Sequence, residues 1–175
     1  MGRQARVGLG VLLAAGFIAA SATTAAAQTS GGETFDGTII ASANASGDRT
    51  VQASVIRARG AFDGVGCIVE VANAPGDPDN ILRDDLVFAG GSMHLVTTVV
   101  DVSVSVDPRS CVAVATVQQT AEIEGGTGAF AAASGSFVGA LRARIVLARN
   151  PDRSCSESST VIEIDTISAN GTLTF

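Results

Sequence analysis

A chain of 175 residues that is 46% hydrophobic and 16% charged is too apolar for a disordered protein and has room for one cored domain. Its formal net charge of −6, with 17 acidic residues and no lysine, argues against nucleic acid and anionic membrane surfaces as partners. Seven Phe without Trp or Tyr leave no material for the aromatic platforms of sugar sites or the girdles of an outer-membrane barrel, although Thr172-Leu173-Thr174-Phe175 is how many such barrels end.

In chain order, Arg3 and Arg6 come first, then an apolar stretch over 7–20, then Ala25-Ala26-Ala27. Basic, apolar and small residues in this order predict a signal peptide over 1–27, cleaved after Ala27. The apolar stretch is shorter than the about 20 residues of a membrane span, an uncleaved anchor being the alternative. No Cys follows closely to take a lipid, and Arg3 and Arg6 are not adjacent as in a twin-Arg signal. Removing 27 of the 175 residues leaves a domain over 28–175 with no membrane span. Nine basic residues then face 17 acidic ones, a net charge of −8 on a protein expected to be secreted.

The remainder reads as β throughout. Runs of Val, Ile and Thr, broken by Gly, Asp, Asn and Pro, predict strands over 34–43, 49–59, 64–72, 85–89, 92–106, 111–124, 136–148 and 160–175. The last is expected to bend or break near Asn170-Gly171. Ser46-Gly47-Asp48, 74–80, Asp107-Pro108-Arg109-Ser110 and 150–154 carry turn chemistry, two prolines keeping 74–80 out of a central strand. No segment longer than a turn has helical period. Eight strands in sequence order favour an antiparallel meander closed into a barrel, which leaves no exposed edge.

Alternation predicts which way residues point. Val100, Val102, Val104 and Val106 share a face opposite Asp101, Ser103 and Ser105. Phe137, Leu141, Ile145 and Leu147 oppose Arg142 and Arg144, and Ile162 and Ile164 oppose Glu163 and Asp165. With no helices to cover them, the apolar faces are expected inside. The charged faces are expected outside, with Arg142, Arg144, Glu163 and Asp165 paired across strands.

Between the sixth and seventh strands lies Gly125-Gly126-Thr127-Gly128-Ala129-Phe130-Ala131-Ala132-Ala133-Ser134-Gly135. It is too glycine-rich for a stable helix and too irregular for a strand. It reads as a structured turn in which Gly125, Gly126, Gly128 and Gly135 supply backbone freedom and Phe130 anchors the loop. A phosphate-binding loop would need a following helix, and a strand follows here. Together with the 85–91 segment, Asp107-Pro108-Arg109-Ser110-Cys111 and the closing Gly171-Thr172-Leu173, this turn resembles the secreted bacterial members of the allene oxide cyclase-like barrel superfamily. Plant dirigent proteins carry a similar Gly-Gly-Thr-Gly-x-Phe-x-x-Ala-x-Gly turn. The resemblance covers about 85–175 and implies a calycin-type, eight-stranded antiparallel barrel around an apolar cavity. It also implies two activities, cyclisation of a fatty-acid epoxide or steering of radical coupling, both resting on holding an apolar substrate in one shape. No catalytic residue of the plant enzymes aligns with a matching motif here.

Cys67, Cys111 and Cys155 each lie near a strand start, which in a meander suggests one end of the barrel for all three. Strands two apart are about 10 Å from each other, and a disulfide needs Cα atoms within about 7 Å. The irregular 150–159 segment gives Cys155 freedom to close that gap. Cys111–Cys155 is the favoured pair in an exported protein, with Cys67 a small buried residue. A three-thiol metal site lacks any C-x-x-C element. Asp77, Asp79, Asn80, Asp84 and Asp85 crowd an acidic loop whose spacing does not match a calcium loop, so a solvated loop is favoured. No metal and no cofactor is expected.

His94, the single His, serves as a general base only if it faces the lumen beside Asp101 or Glu122; otherwise it is a polar-face strand residue. His94, Glu122 and Arg142 are the catalytic candidates. Two function classes remain: a module binding a small apolar ligand in the lumen, and an isomerase, cyclase or dirigent-type protein acting on an apolar substrate. Self-association through a barrel face is compatible with either. A wholly apolar lumen favours the binder, and a buried charge without a partner favours the enzyme.

Overall fold

The structure is a computed structural model and describes residues 28–43 and 48–175, apart from the side chains of Glu157 and Ser158. The predicted signal peptide over 1–27 lies outside the described residues, as do Ser46 and Gly47 of the first predicted turn.

Eight strands follow one another: β1 (Ser30–Ala43), β2 (Arg49–Gly60), β3 (Gly64–Val71), β4 (Ile81–Phe88), β5 (Gly91–Asp107), β6 (Val112–Gly126), β7 (Ser134–Arg149) and β8 (Cys155–Thr174). Each pairs antiparallel with the next and β1 closes on β8, giving the all-β, eight-stranded meander barrel that alternation predicts. No helix among the described residues is long and apolar enough to cross a membrane.

β1 begins before the predicted boundary because Gly31 and Gly32 pair with Leu173 and Thr172. Sheet pairing there overrides the low strand preference of glycine. β8 does not break at Asn170-Gly171. A Cβ on Gly171 would sit 1.9 Å from the Ser136 carbonyl oxygen, so this glycine permits close approach of β7 rather than a bend.

One end of the barrel is plugged by aromatic rings. Phe62 packs against Phe88, Phe130 and Phe175 with ring centroids 5.0, 5.1 and 6.0 Å away. Phe130 arrives on a one-turn 3-10 segment, Gly128–Phe130, entered through Gly125 at φ 98° and started by Gly128 at φ 58°, both conformations that favour glycine. Buried Glu33 ties down the rim of this floor, accepting hydrogen bonds from the Phe62 and Thr34 amides. Above the floor, Phe35 and Phe137 meet at 5.0 Å inside the lumen.

At the opposite end the wall is uneven. β3 and β4 are 8 residues long, whereas β5 and β8 have 17 and 20. Past Asn80, which exchanges hydrogen bonds with Val99, the upper part of β5 has no strand partner on that side among the described residues. Val100, Val102, Val104 and Val106 stand on this stretch and are exposed, contrary to the expectation that they line the interior. Val102, Val104 and Val106 share rows with Val117, Ala115 and Ala113, but β5 has outrun the strand that would shield it.

Cys111 and Cys155 form the predicted disulfide, with Cα atoms 5.3 Å apart. Register shifts between β7 and β8 above Val146 bring the start of β8 to that of β6 across β7. The disulfide suits an oxidising, extracellular setting. Cys67 is free, half-buried rather than fully buried, and lies toward the plugged end. β3 runs antiparallel to β6 and β8, so a strand start on β3 is at the other end of the barrel, which corrects the grouping of all three cysteines.

Candidate functional site: the barrel lumen and its charged mouth

The lumen holds a cavity of about 470 Å³. Its lower walls are apolar, with Phe35 and Ile39 from β1, Ile56 from β2, Ile68 from β3, Leu86 from β4 and Phe137 from β7. Its upper wall is charged, formed by Arg49 from β2, Glu70 from β3, Asp84 from β4, and Glu163 and Asp165 from β8.

The mouth is open where β2 and β3 part. Their ladder runs only over Ile56–Ala58 with Gly64–Gly66. Beyond it, Ser54 Oγ accepts from the Ile68 amide at 3.1 Å and donates to the Ile68 carbonyl at 2.7 Å. Higher still, Arg49 crosses to Glu70. Its Nε meets Glu163 Oε1 and its Nη2 meets Asp165 Oδ2, each at 3.3 Å. Ala41, buried between β2 and β8, leaves the guanidinium room to reach across β1.

Asp165 is the least ordinary member of this group. Its side chain is 4% exposed, and Oδ1 has no hydrogen-bond partner among the described residues. Burial, helped by the neighbouring Glu163 carboxyl and opposed by Arg49, pushes its pKa up to about 7. Burial beside Glu70 pushes Asp84 up to about 6. Both shifts disfavour the charged form, as desolvation and like charge must.

These shifts set a pH dependence. Between the ordinary carboxylate value of 3.8 and about 7, the folded protein holds protons that the unfolded chain has released. Stability therefore falls as pH rises through that interval. The two shifts together bound the effect at about 4 kcal/mol between pH 5 and pH 7.5, and solvent screening of these incompletely buried groups reduces it to about 2 kcal/mol, a melting shift of roughly 6 °C. Asp165→Asn should remove most of the difference and raise the melting temperature at pH 7.5, read by thermal unfolding at both pH values. Asp77, Asp107 and Asp152 work oppositely. Hydrogen bonds from Arg83, Ser110 and Ser154 hold them below 3.8, and the stability they add is lost only as pH falls below that value.

In comparison with known proteins, no family model, curated protein or solved structure matches this chain.

The structure places His94, Glu122 and Arg142 on the outer wall, and none of them lines the cavity. His94 Nδ1 lies 2.6 Å from Asp85 Oδ1, not beside Asp101 or Glu122. Arg142 and Arg144 are opposite Thr166 and Ile164 in register, so they face outward and do not pair with Glu163 or Asp165. Those two acids turn inward, and Ile162 and Ile164 are exposed, the reverse of the sequence expectation. The acidic loop is dispersed as well: Asp77 takes a bidentate contact from Arg83, Asp84 faces the lumen and Asp85 meets His94. No three His, Cys, Asp or Glu among the described residues are placed to hold a metal ion.

Sequence reasoning missed Arg49 and Glu70, and placed Asp84 in a solvated loop and Glu163 and Asp165 on the outside. One signal for the last two was available. Leu173, Ala169 and Ile167 have the parity of Asp165, and an unbroken strand that turns them toward the core must turn Asp165 inward too.

Proposed function

We propose that the protein is exported and binds a small, largely apolar molecule in the barrel lumen without transforming it. The observation that carries this reading is the lumen itself. A cavity of about 470 Å³ with continuous apolar lower walls and a few polar groups at one end has the character of a small-molecule site. Each Å² of apolar ligand surface withdrawn from water contributes about 25 cal/mol. Export is supported by the order of basic, apolar and small residues over 1–27 and by the Cys111–Cys155 disulfide. The glycine turn and the eight-strand meander support kinship with the allene oxide cyclase-like barrels.

The test is a fluorescence titration with N-phenyl-1-naphthylamine, an apolar probe that brightens out of water. Saturable binding is expected, weakened about tenfold in Ile167→Trp, which fills the lumen, an effect of about 1.4 kcal/mol. Absence of saturable binding, or indifference to Ile167→Trp in a variant with unchanged circular dichroism, would sink the reading.

A second reading, an isomerase, cyclase or dirigent-type protein, is favoured by one observation. Asp165 stands on the charged upper wall of the lumen with a buried oxygen that has no partner among the described residues, and its pKa is pushed up to about 7, which suits a general acid–base. Chemical change in a bound ligand that is lost in Asp165→Asn while the ligand is still retained would decide for it.

A further inference from the structure

The charge pattern of the mouth narrows the ligand beyond apolarity, on the reading that the lumen is the binding site. Four carboxyl groups line its upper wall: Glu70 from β3, Asp84 from β4, and Glu163 and Asp165 from β8. Arg49 meets three of them, Glu70, Glu163 and Asp165. Arg83 also borders the cavity, but its Nε and Nη2 are held by Asp77 and its Nη1 lies 4.0 Å from Glu124. Carboxylate is thus in excess at the mouth.

Two further features select among head groups. Every side-chain nitrogen of Arg49 already meets a carboxylate: Nη1 faces Glu70, Nε faces Glu163 and Nη2 faces Asp165. A fatty-acid carboxylate would compete for these donors and be repelled by the surrounding acids. Asp165 Oδ1, in contrast, is a buried acceptor without a donor among the described residues. Leaving such an oxygen unsatisfied costs about 1–3 kcal/mol, more when it is charged. Glu163 beside it offers no proton while both are ionised. A bare metal ion does not answer the need, because the carboxyls are not placed to hold one. A ligand that brings its own charged N–H donor does.

We propose that the lumen takes an amphiphilic organic cation, a protonated amine whose ammonium sits among Asp84, Glu163 and Asp165 and toward which the buried Asp165 carboxyl turns its Oδ1. The apolar tail of the amine lies among Phe35, Leu86 and Phe137 below. Placing the cation there restores the missing hydrogen bond and offsets the repulsion among the acids. Binding has a predictable pH dependence. Asp84 and Asp165 titrate at about 6 and about 7, in the field of Arg49, Glu70, Glu163 and Asp85. Above neutrality both are charged and the cation is held. As pH falls to 5 both take up protons and the preference fades.

Three probes that share one tail separate the possibilities: dodecylamine, dodecanol and dodecanoate, each below its micellar concentration. Each displaces N-phenyl-1-naphthylamine from the protein at pH 8 and pH 5. Dodecylamine is expected to bind about tenfold more tightly than dodecanol at pH 8, with dodecanoate weakest, and the amine preference should shrink at pH 5. Asp165→Asn should erase the ratio of amine to alcohol affinity, and Glu70→Gln, at a half-exposed position, should reduce it. Equal affinity for amine and alcohol, or tightest binding of dodecanoate, overturns the cation and leaves the lumen reading standing. Failure of all three probes and of the naphthylamine overturns both.

Discussion

Replacing Phe130 by Ala is expected to remove about 3–5 kcal/mol of folding stability, a large share of the about 5–15 kcal/mol typical of one domain. The Phe130 side chain is 2% exposed, and its ring packs 5.1 Å from Phe62, 5.5 Å from Phe175 and 5.9 Å from Phe88. Those rings belong to the β2–β3 turn, the C-terminus and the end of β4, so truncation loosens three parts of the floor at once. The surroundings are held by closed strand pairing and cannot collapse into the gap, so a cavity cost is added to the lost transfer energy. Urea unfolding of Phe130→Ala beside Phe130→Leu measures the effect. Leu refills much of the volume and should recover more than half of the loss. A loss under about 1 kcal/mol for Ala would mean that the turn is not held through this ring.

Removing the Cys111–Cys155 disulfide in the double variant Cys111→Ala/Cys155→Ala should cost about 4 kcal/mol. The figure follows from the sequence separation of 44, because the bond withdraws from the unfolded chain the entropy of a loop of that length. In the folded protein it joins the starts of β6 and β8 at the tall side of the mouth, where β7 and β8 lose regular register. The midpoint in guanidinium chloride should fall while proteolysis becomes faster between β7 and β8. Cys67 cannot substitute, since it lies toward the plugged end of the barrel. A stability change below about 1 kcal/mol would show that strand pairing alone holds this end.

Much of the fold was legible in the sequence because its signals are local. Period-two alternation locates strands, and Gly, Pro and Asx clusters locate turns. Gly125 and Gly128 mark positions of positive φ, and Phe130 in an otherwise small-residue loop marks an anchor. The charged mouth was not legible. Arg49 and Asp165 are far apart in the chain, and they meet only because β1 lies between β2 and β8 in a closed sheet.

The sequence by itself determined that the chain is all β and that its strands follow in meander order, and it favoured the Cys111–Cys155 pair. Each rests on spacing or residue type over short stretches. Only the tertiary structure decided which face of β8 is inside along its upper part and how far the apolar face of β5 is covered. Alternation is symmetric between the two faces, and local hydrophobicity chose wrongly for the upper part of β8. There Ile162 and Ile164 look like core, yet the strand is a single pleated unit whose parity is set lower down. Burying Ala169 and Leu173, with Ile167 half-buried against the core, turns Asp165 and Glu163 inward with them. In β5 the reverse happened: the apolar row is real, but the strand runs past its neighbour and the valines remain in solvent. Closure of the sheet, which no local pattern encodes, converts a greasy barrel into one whose mouth carries an unsatisfied carboxylate.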